Sequence, residues 1–391
     1  MPAVSSHPNW FDVAVLGGGP GGLAAALTLC RYSDLSVLVV EKSGYDMPRV
    51  GETLAPGIQG LLEYLGVWKA FLADGHLPAF GTAAAWGSSV VAARDFILTP
   101  FGTGWHLDRR RFDHTLAREA EAAGATIWRA ADARFEPDAD GRWRLEVRHA
   151  GERRLVEAGF LVDATGKSAV VARRCGARRC IFDRMVAVIT MVELPAGSPA
   201  ETVTLVETCA EGWWYSAKLP GAMMTVALMS DTGIIHARRL ADAEPWRRLL
   251  QDQPHTWARL EGGRLAGRPR IIPAFSARLE PAVGHGWVAV GDAAASHDPL
   301  SSSGIARALD SGIHAARAIC DRLRYGRPDG LIEYDRWIGE SFEHYWATRQ
   351  RYYALEQRWP GSMFWNRRRS NVATDRLGLQ VSPPAARETR I

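Results

Sequence analysis

The sequence predicts an α/β fold in which a parallel sheet is interrupted by an inserted antiparallel sheet and followed by a helical C-terminal region. Three observations predict it. A buried strand, a glycine turn and an alanine-rich helix occupy residues 11–30, and a second β-branched strand follows at 35–41. Strand-like runs with few helices between them fill residues 185–230. The buried-strand pattern returns at 287–294, so the first sheet is interrupted and then resumed.

The composition is that of an ordinary globular protein. The chain has 391 residues, of which 47% are hydrophobic and 23% charged, enough for two subdomains. Its apolar runs are too short to cross a bilayer, and the N-terminus has neither the basic nor the apolar part of a secretion signal. The five cysteines are scattered, and the close pair Cys175 and Cys180 is not a metal-ligand set. We therefore expect a cytoplasmic protein without a metal site or a membrane partner.

Turn and cap signals place the other elements of the first domain. Two alternating runs within 134–147 predict a hairpin around Asp140 and Gly141. A helix is predicted near 57–68, and another begins after Asp108 as N-cap and ends at Gly124. Further helices are predicted at 303–324 and, from aromatic residues at helical spacing, within 331–359.

These elements predict six segments in two domains and a C-terminal region. The nucleotide-binding domain has three parts and the substrate domain two: residues 1–80, 106–184 and 276–330 for the first, residues 81–105 and 185–275 for the second, and 331–391 for the aromatic and basic helical region.

The charge is uneven along the chain. The net charge is +4, but residues 347–391 hold nine arginines against three acidic residues. Such a segment could attract an anionic partner, and a solvated tail fits it equally well. No nucleic-acid-binding motif accompanies it, so we expect no nucleic-acid partner.

A glycine-rich turn carries the first chemical signal. Gly17, Gly19 and Gly22 form G-x-G-x-x-G between a strand and a helix, where they permit a tight turn, close approach of a pyrophosphate and helix packing. Glu41, followed by Lys42, ends the next strand, where a carboxylate binds ribose hydroxyls. The pattern predicts dinucleotide binding, with these five residues at the cofactor.

The second signal lies in 288–309 and separates FAD from NAD. A buried strand ends in Gly291 and Asp292, and the Asp292 carboxylate can accept hydrogen bonds from a ribityl chain. Pro299 then leads into a helix at Gly304 and Ile305, whose N–H groups can stabilise the negative charge of a reduced flavin. The sequence therefore predicts FAD.

The order of these motifs resembles that of class A flavin monooxygenases. Gly17–Gly22, Asp163–Gly166 and Gly291–Asp292 stand in the family order, and the resemblance covers residues 10–325. It implies a Rossmann-type FAD-binding domain with an inserted substrate sheet. It also implies that Asp163 and Gly166 lie along the cofactor. "RVGETLAP" and "DPLSSSGI" resemble the tryptophan-halogenase-like branch in particular.

Three departures argue against halogenation. The W-x-W-x-I-P motif of flavin halogenases is replaced by "GWWYSAKLP". The position of their essential lysine, which captures hypohalous acid, corresponds to Gly81, and the stretch 77–89 has no lysine. The glutamate of tryptophan halogenases corresponds to Ser301. Halogenation is thus a disfavoured alternative.

"GWWYSAKLP" together with "VGETLAP" is more similar to LodB-like flavoproteins. That resemblance implies an FAD-dependent monooxygenase that hydroxylates an indole ring through a flavin C4a-hydroperoxide. The substrate would be tryptophan in a peptide or partner protein, as in quinone-cofactor maturation. The co-reactants would be O₂ and either NAD(P)H or external reduced flavin supplied by a partner reductase.

Four residues are candidates for binding the flavin cofactor or for catalysis beside it. Arg49 matches an arginine that neutralises the FAD pyrophosphate, and Arg109 one that lies near the flavin linker; a surface role is the alternative for Arg49. Glu52 could order the loop over the flavin or face the substrate; a helix N-cap or a solvated carboxylate is the alternative. His297 is a candidate proton relay, with a structural histidine as the alternative.

Three aromatic residues of the inserted sheet are candidates for the substrate pocket. Trp213, Trp214 and Tyr215 could stack on an indole, and core packing is the alternative for at least one of them.

Two other functions fit the same fold. An FAD-dependent reductase of prenyl chains would have a long apolar tunnel. A non-enzymatic docking protein would bind its partner with or without FAD.

Overall fold

The protein, seen in a computed structural model, contains two eight-stranded sheets and a C-terminal helical region. The structure describes residues 10–47, 49–96, 99–138, 141–198 and 202–369. Asp140 of the expected hairpin, the N-terminal residues 1–9 and the basic segment beyond Arg369 lie outside the described residues. Strands and helices are numbered in chain order.

The first sheet is the expected nucleotide-binding type. Its strands are β1 (Trp10–Leu16), β2 (Val37–Val40), β8 (Thr126–Trp128), β9 (Asp132–Pro137), β10 (Trp143–His149), β11 (Glu152–Asp163), β20 (Val283–Gly284) and β21 (Trp287–Ala289). The order is β20-β21-β11-β1-β2-β8, and the four pairs from β21 to β8 are parallel. Strands β9 and β10 form the predicted hairpin and extend β11. The strands β1, β2, β11 and β21 therefore end at one edge of the sheet.

Helices pack against this sheet. The main ones are α1 (Pro20–Tyr32), α4 (Arg109–Ala122) and α9 (Gly304–Tyr325), and α1 packs against α9. Asp108 caps α4 as predicted, because its carboxylate accepts hydrogen bonds from the backbone N–H groups of Arg110 and Arg111. The α/β fold that the sequence predicts is confirmed.

The second sheet is mixed rather than purely antiparallel. Its strands are β5 (Gly81–Ala85), β6 (Ala92–Asp95), β13 (Met185–Glu193), β14 (Val203–Cys209), β15 (Gly212–Leu219), β16 (Met223–Asp231), β17 (Arg264–Leu265) and β18 (Arg270–Pro273). They follow the order β17-β13-β16-β15-β14-β5-β6, and β18 also pairs with β13. The pair β5–β14 is parallel. A long connection through the first sheet separates β5 from β14 in the chain, and such a crossover is what parallel pairing needs.

The described part of the C-terminal region contains α10 (Asp329–Ala354) and α11 (Met363–Arg369). The aromatic spacing of the sequence correctly predicts α10. The two helices pack on the second sheet, where Tyr353 and Trp365 are fully buried. Within the described part, the segment is less available to an anionic partner than its composition suggests. Arg349 and Arg368 are buried in ion pairs with aspartates of the rest of the chain.

Short elements complete the chain. They are the sheet of β3 (Thr53–Leu54), β4 (Leu77–Ala79) and β7 (Gly104–His106), the sheet of β12 (Arg178–Ile181), β19 (Ala277–Glu280) and β22 (Ala295–Ser296), and the helices α2 (Ile58–Tyr64), α3 (Trp68–Ala73), α5 (Val170–Arg174), α6 (Thr232–Ala237), α7 (Ala243–Gln251) and α8 (Pro254–Ala258). Within the described residues, 3₁₀ turns occupy Gly166–Ser168, Gly291–Ala293 and Pro299–Ser301. Among the described helices, none combines the length and apolar character needed to cross a membrane.

Candidate active site

A cavity of about 350 Å³ lies between the two sheets. One side, which we call the strand-end wall, is formed by turns at the ends of the parallel strands and by the start of α9. It contains residues 19–22, 164, 166–167, 290–292, 297–299, 302, 304 and 305. The other side, the sheet wall, is formed by loop 50–53 and by one face of the second sheet with residues 187, 189, 215, 227, 229 and 272–274. The cavity thus joins the nucleotide-binding motifs to the inserted sheet.

The glycine turn of the strand-end wall has the shape that a dinucleotide requires. Gly17 has φ of +111°, and a Cβ atom there would lie 2.2 Å from the carbonyl oxygen of Ala164. A Cβ at Gly22 would lie 2.1 Å from the carbonyl oxygen of Gly17. At Gly19, by contrast, a Cβ would meet no atom within 4 Å, so this side of the turn is open to a ligand. The N-terminus of α1 lacks a side-chain cap, which leaves its N–H groups free for a pyrophosphate.

Glu41 lies buried at the end of β2, where the sequence places it. One carboxylate oxygen accepts the N–H of Gly18 at 2.6 Å, and the other accepts the Nη2 of Arg49 at 2.7 Å. Burial raises the pKa of the carboxyl, but hydrogen bonds from Ser43 and the charge of Arg49 outweigh it, so the pKa is lowered. Glu41 is therefore ionised and orders the glycine turn. Its contact with a ribose, and that of exposed Lys42 beside it, stay predictions.

The two candidate arginines occupy different places. Arg49 does not line the cavity; its guanidinium pairs with Glu41 and, at 2.8 Å, with the buried carboxylate of Asp113. Arg109 does line the cavity, pairs with Asp113 at 3.1 Å and donates to the backbone carbonyl of Val50. The assignment of Arg49 to the phosphates is thus not supported by its position in the structure. Arg49 instead attaches loop 49–52 to α4 through Asp113, and Arg109 attaches it through the backbone carbonyl of Val50.

Glu52 is a buried residue of the cavity wall that bonds within its own loop. It is 3% exposed and lines the cavity, so it is not a solvated carboxylate. Its carboxylate accepts a hydrogen bond from the Thr225 hydroxyl at 3.1 Å and one from the N–H of Gly51 at 3.2 Å. Burial raises the pKa of the carboxyl. Glu52 is thereby the titratable acid of the sheet wall, and it also holds its own loop.

Tyr215 is the one member of the aromatic triplet that faces the cavity. Trp213 and Trp214 are both fully buried and do not line it, so the expectation that they form the substrate pocket is wrong. Side chains alternate along β15, which sends Trp214 to the opposite face, where its ring packs on Trp246 at 5.1 Å. Trp213 shares the face of Tyr215 but is covered by α10 and donates to the Tyr353 hydroxyl at 2.9 Å.

A chain of hydrogen bonds that the sequence does not reveal begins at Tyr215. The Tyr215 hydroxyl lies 2.6 Å from the Thr53 hydroxyl, which lies 3.3 Å from that of Thr204. The Thr204 hydroxyl lies 2.9 Å from Nε2 of His106, a fully buried residue. Burial lowers the pKa of His106 to about 4. Polar groups therefore continue from the cavity into the sheet and end at a neutral imidazole.

The DATG turn contributes to the strand-end wall through its backbone. Asp163 is fully buried, does not line the cavity and accepts hydrogen bonds from the N–H groups of Thr165 and Ala172. It therefore holds the turn and does not touch a ligand in the cavity. Gly166 does line the cavity, as the resemblance implies. Lys167 lines it as well, 3.3 Å from the carboxylate of Asp292, and was not singled out from the sequence.

His297 lies in the cavity wall beside the flavin motif and is neutral. Burial, together with the charges of Arg307 and Lys167, lowers its pKa well below the ordinary value. Its ring packs edge-on against Tyr345 at 4.2 Å, and its Nε2 has no hydrogen-bond partner among the described residues. A neutral imidazole of this kind can donate or accept one proton, but it carries no charge for the cofactor.

The N-terminus of α9 completes the strand-end wall. Gly304 and Ile305 line the cavity together with Gly291, Asp292 and Pro299, so the predicted cofactor residues of this motif are brought together. The side chain of the N-cap residue Ser303 does not cap the first N–H groups of the helix, which leaves them free for a ligand. This arrangement fits the electron-rich edge of a flavin.

The two positions that distinguish halogenases lie apart from the cavity. A Cβ at Gly81 would lie 2.7 Å from the carbonyl oxygen of Arg94 on the neighbouring strand, so β5 has no room for a side chain there. Neither Gly81 nor Ser301 lines the cavity, and the Ser301 hydroxyl bonds to the backbone of Asp298. Among the residues that line the cavity, the one lysine is Lys167.

Comparison with known proteins agrees with this geometry. Residues 12–79 and 72–388 match the model of the tryptophan halogenase family. A putative FAD-dependent oxidoreductase, LodB, of Marinomonas mediterranea is 30% identical over 363 residues, which cover 92% of this chain and 96% of the relative. Tryptophan 2-halogenase of Chondromyces crocatus is 26% identical over 80% of this chain and 61% of the relative.

Solved structures point the same way. The crystal structure of CmlS, a flavin-dependent halogenase, superimposes with a TM-score of 0.83 at 27% identity, over 95% of this chain and 70% of CmlS. Since the family model matches almost the whole described chain, the protein belongs to the tryptophan halogenase family and is an FAD-dependent oxidoreductase.

Proposed function

We propose that the protein is an FAD-dependent monooxygenase that hydroxylates the indole ring of tryptophan in a peptide or partner protein. The observation that carries the proposal is the environment of Gly81. The lysine of the halogenating step has no counterpart there, and the neighbouring strand fills the space that a side chain would need. A flavin site that lacks this lysine retains the capacity to transfer oxygen.

The sheet wall suits an aromatic ring. Ala187, Ile189, Ala227 and Met229 present small or apolar side chains from two adjacent strands. A wall of this kind packs on a flat ring and excludes water from it. Reduced FAD, when bound against the strand-end wall, activates O₂, of which one atom enters the ring and the other leaves as water.

The Glu52 carboxylate is the group that accepts the proton that the ring must lose. When oxygen has bonded to a ring carbon, that carbon releases its hydrogen as a proton to restore aromaticity. The Glu52 carboxylate lines the cavity, and its raised pKa brings it closer to neutral pH, where proton exchange is most effective. Tyr215 lies on the same wall and can hold the indole or the peptide by a hydrogen bond.

The substrate class rests on the resemblance to LodB-like flavoproteins, which supports tryptophan carried by a protein or peptide over the free amino acid. The reductant is NAD(P)H or reduced flavin delivered by a partner reductase. Both assignments belong to the proposal.

The test is a product analysis by mass spectrometry with the FAD-loaded protein, a chemical or enzymatic supply of reduced flavin, and isotopically heavy O₂. Tryptophan-containing peptides should gain heavy oxygen atoms at the indole, whereas the same peptides with phenylalanine in place of tryptophan should not. Chloride and bromide are added in parallel reactions. A halogenated indole would establish halogenation instead, and equal turnover of free tryptophan would remove the peptide or protein from the proposal.

A further inference from the structure

A buried group of side chains joins the C-terminal helix to the strand-end wall. We call Asp183, Asp298, Tyr345, Arg349 and Tyr353 the Asp298 cluster. Asp298 is 1% exposed, and its carboxylate accepts hydrogen bonds from Nε of Arg349 at 2.7 Å and from the Tyr353 hydroxyl at 2.7 Å. The other two members complete the cluster. Arg349 also pairs with Asp183 at 3.1 Å, and the N–H of Asp298 donates to the Tyr345 oxygen at 2.6 Å.

The cluster surrounds the buried guanidinium of Arg349, a charge that needs ionic partners. Arg349 is 5% exposed and lies between two carboxylates, which hold its pKa above the ordinary value against the effect of burial. Its guanidinium also lies over the Tyr353 ring, 4.3 Å from the centroid. Removal of one partner from such a pair leaves an uncompensated buried charge, so the neighbouring chain has to rearrange.

The segment that would rearrange is the turn around Asp298, which lies in the strand-end wall of the cavity. Asp298 stands between His297 and Pro299, and all three residues line the cavity. The Asp298 carboxylate also accepts the N–H of Leu300 at 2.9 Å, which forms the turn that leads to α9. The backbone and the side chain of this turn are therefore both held by α10.

Tyr353 extends the connection to the opposite wall. Its hydroxyl donates to Asp298 and accepts the indole N–H of Trp213. Trp213 belongs to β15, two residues before Tyr215, which lines the cavity from the sheet wall. A single hydroxyl group thus links a turn of the strand-end wall to the strand that carries Tyr215.

We propose that Arg349 and Tyr353 are positioning residues that fix the His297–Pro299 turn and β15 relative to the bound flavin. Neither of them lines the cavity; they act through Asp298 and Trp213. The C-terminal helix is then a part of the active site although it contributes no wall residue. The proposal rests on the FAD-dependence of the family and, for substrate geometry alone, on the proposed hydroxylation.

The test compares Arg349→Met, Arg349→Lys and Tyr353→Phe with Arg351→Met, a change at an exposed position of the same helix. Each FAD-loaded variant is examined for its melting temperature, the absorption spectrum and reduction potential of the bound flavin, and the rate at which the photoreduced flavin is reoxidised by O₂ without substrate. These readouts concern the flavin alone, so they stay valid if the proposed hydroxylation fails.

Arg349→Met and Tyr353→Phe should shift the flavin spectrum and potential, and change the reoxidation rate or the FAD dissociation constant by about tenfold, as expected for the loss of a charge-assisted hydrogen bond. Arg349→Lys should restore part of the effect because it keeps the charge, and Arg351→Met should resemble the parent protein. If Arg349→Met does not fold, Tyr353→Phe decides the question. A lower melting temperature with unchanged spectrum, potential, dissociation constant and reoxidation rate in Tyr353→Phe would assign the cluster to stability and overturn the proposal.

Discussion

The two walls of the cavity are built from different kinds of groups. The strand-end wall presents mostly main chain: the glycine turn, the free N–H groups of α1 and α9, and the turns at Gly166 and Gly291. The sheet wall presents side chains, among them Glu52, Tyr215 and a floor of small and apolar residues. The first wall depends on backbone geometry, which few residue types allow, and the second on side chains, which can change without loss of the fold.

This difference between the walls indicates which residues should affect FAD binding and which should affect the reaction. Changes at the strand-end wall should act on FAD affinity, because the backbone N–H groups and helix termini there are the groups that would hold the phosphates and the flavin edge. Changes at the sheet wall should act on turnover with FAD still bound. A variant that violates this division would show that the walls are not independent.

The largest effect is expected at Gly19. Gly19→Asp places a carboxylate where the pyrophosphate should bind, and the open space there lets the side chain fit without a clash. We expect FAD affinity to fall more than about 100-fold, through charge repulsion at the helix N-terminus. Absorbance near the flavin band after gel filtration measures the retained cofactor.

Gly19→Ala is the matched control. It adds the same Cβ without the charge, so it should lower FAD affinity less than Gly19→Asp, and the difference between the two variants measures the effect of the charge. Full FAD occupancy in Gly19→Asp would place the phosphates elsewhere and would contradict the assignment of the glycine turn.

The second effect belongs to the sheet wall. Glu52→Gln keeps the shape and the contact with Thr225 but removes the proton acceptor. Turnover of a tryptophan peptide should fall by about 10²- to 10³-fold, the usual contribution of a general base, while FAD affinity stays the same. Single-turnover mass spectrometry and FAD titration measure the two quantities side by side.

Normal turnover in Glu52→Gln would leave the carboxyl with only a structural role in its loop. A joint loss of FAD and turnover would instead mean that Glu52 acts on the strand-end wall.

The strand-end wall was the part that the sequence predicted well, and for a local reason. Each of its motifs is a contiguous stretch in which a strand, a turn and a helix start follow one another, so Gly17 to Gly22 or Gly291 with Asp292 carry their own geometry. The fold class followed from the same stretches. Asp163 was misassigned because a buried turn-forming carboxylate and a ligand-binding one look alike in sequence.

The sheet wall and the Asp298 cluster depend on residues far apart in the chain. Thr53 lies 151 residues from Thr204, and Asp298 lies 51 residues from Arg349. Alternation along β15 predicts that Trp214 and Tyr215 face opposite ways, but not which face meets the cavity. That choice is made by the packing of α10 and Trp246 on the sheet, which no local pattern encodes.

A smaller effect tests the alternation along β15. Trp214→Phe should lower the free energy of unfolding by about 2 kcal/mol through a partly empty space beside Trp246, and leave kcat/KM unchanged. Tyr215→Phe should lower kcat/KM about tenfold by the loss of one hydrogen-bonding group in the cavity, with a smaller loss of stability. Urea unfolding and steady-state kinetics of the two variants measure both quantities. If Trp214→Phe impaired turnover and Tyr215→Phe did not, the orientation of β15 would have to be reversed.

The smallest effect concerns the imidazole behind the sheet wall. Burial lowers the pKa of His106 from 6.5 to about 4, so the unfolded state binds a proton more tightly than the folded one. The stability that this group contributes is therefore complete above pH 6.5 and is lost as the pH falls toward 4. At pH 5 the loss should be about 2 kcal/mol.

In His106→Gln, the decline of the unfolding free energy between pH 7.5 and pH 5 should be shallower by that amount, since a glutamine does not titrate. Buried His297 and His76 keep their share of the decline in this variant. An unchanged slope in His106→Gln would mean that the imidazole can be protonated in the folded protein, and the hydrogen-bonded chain to Tyr215 would then end in a charged group.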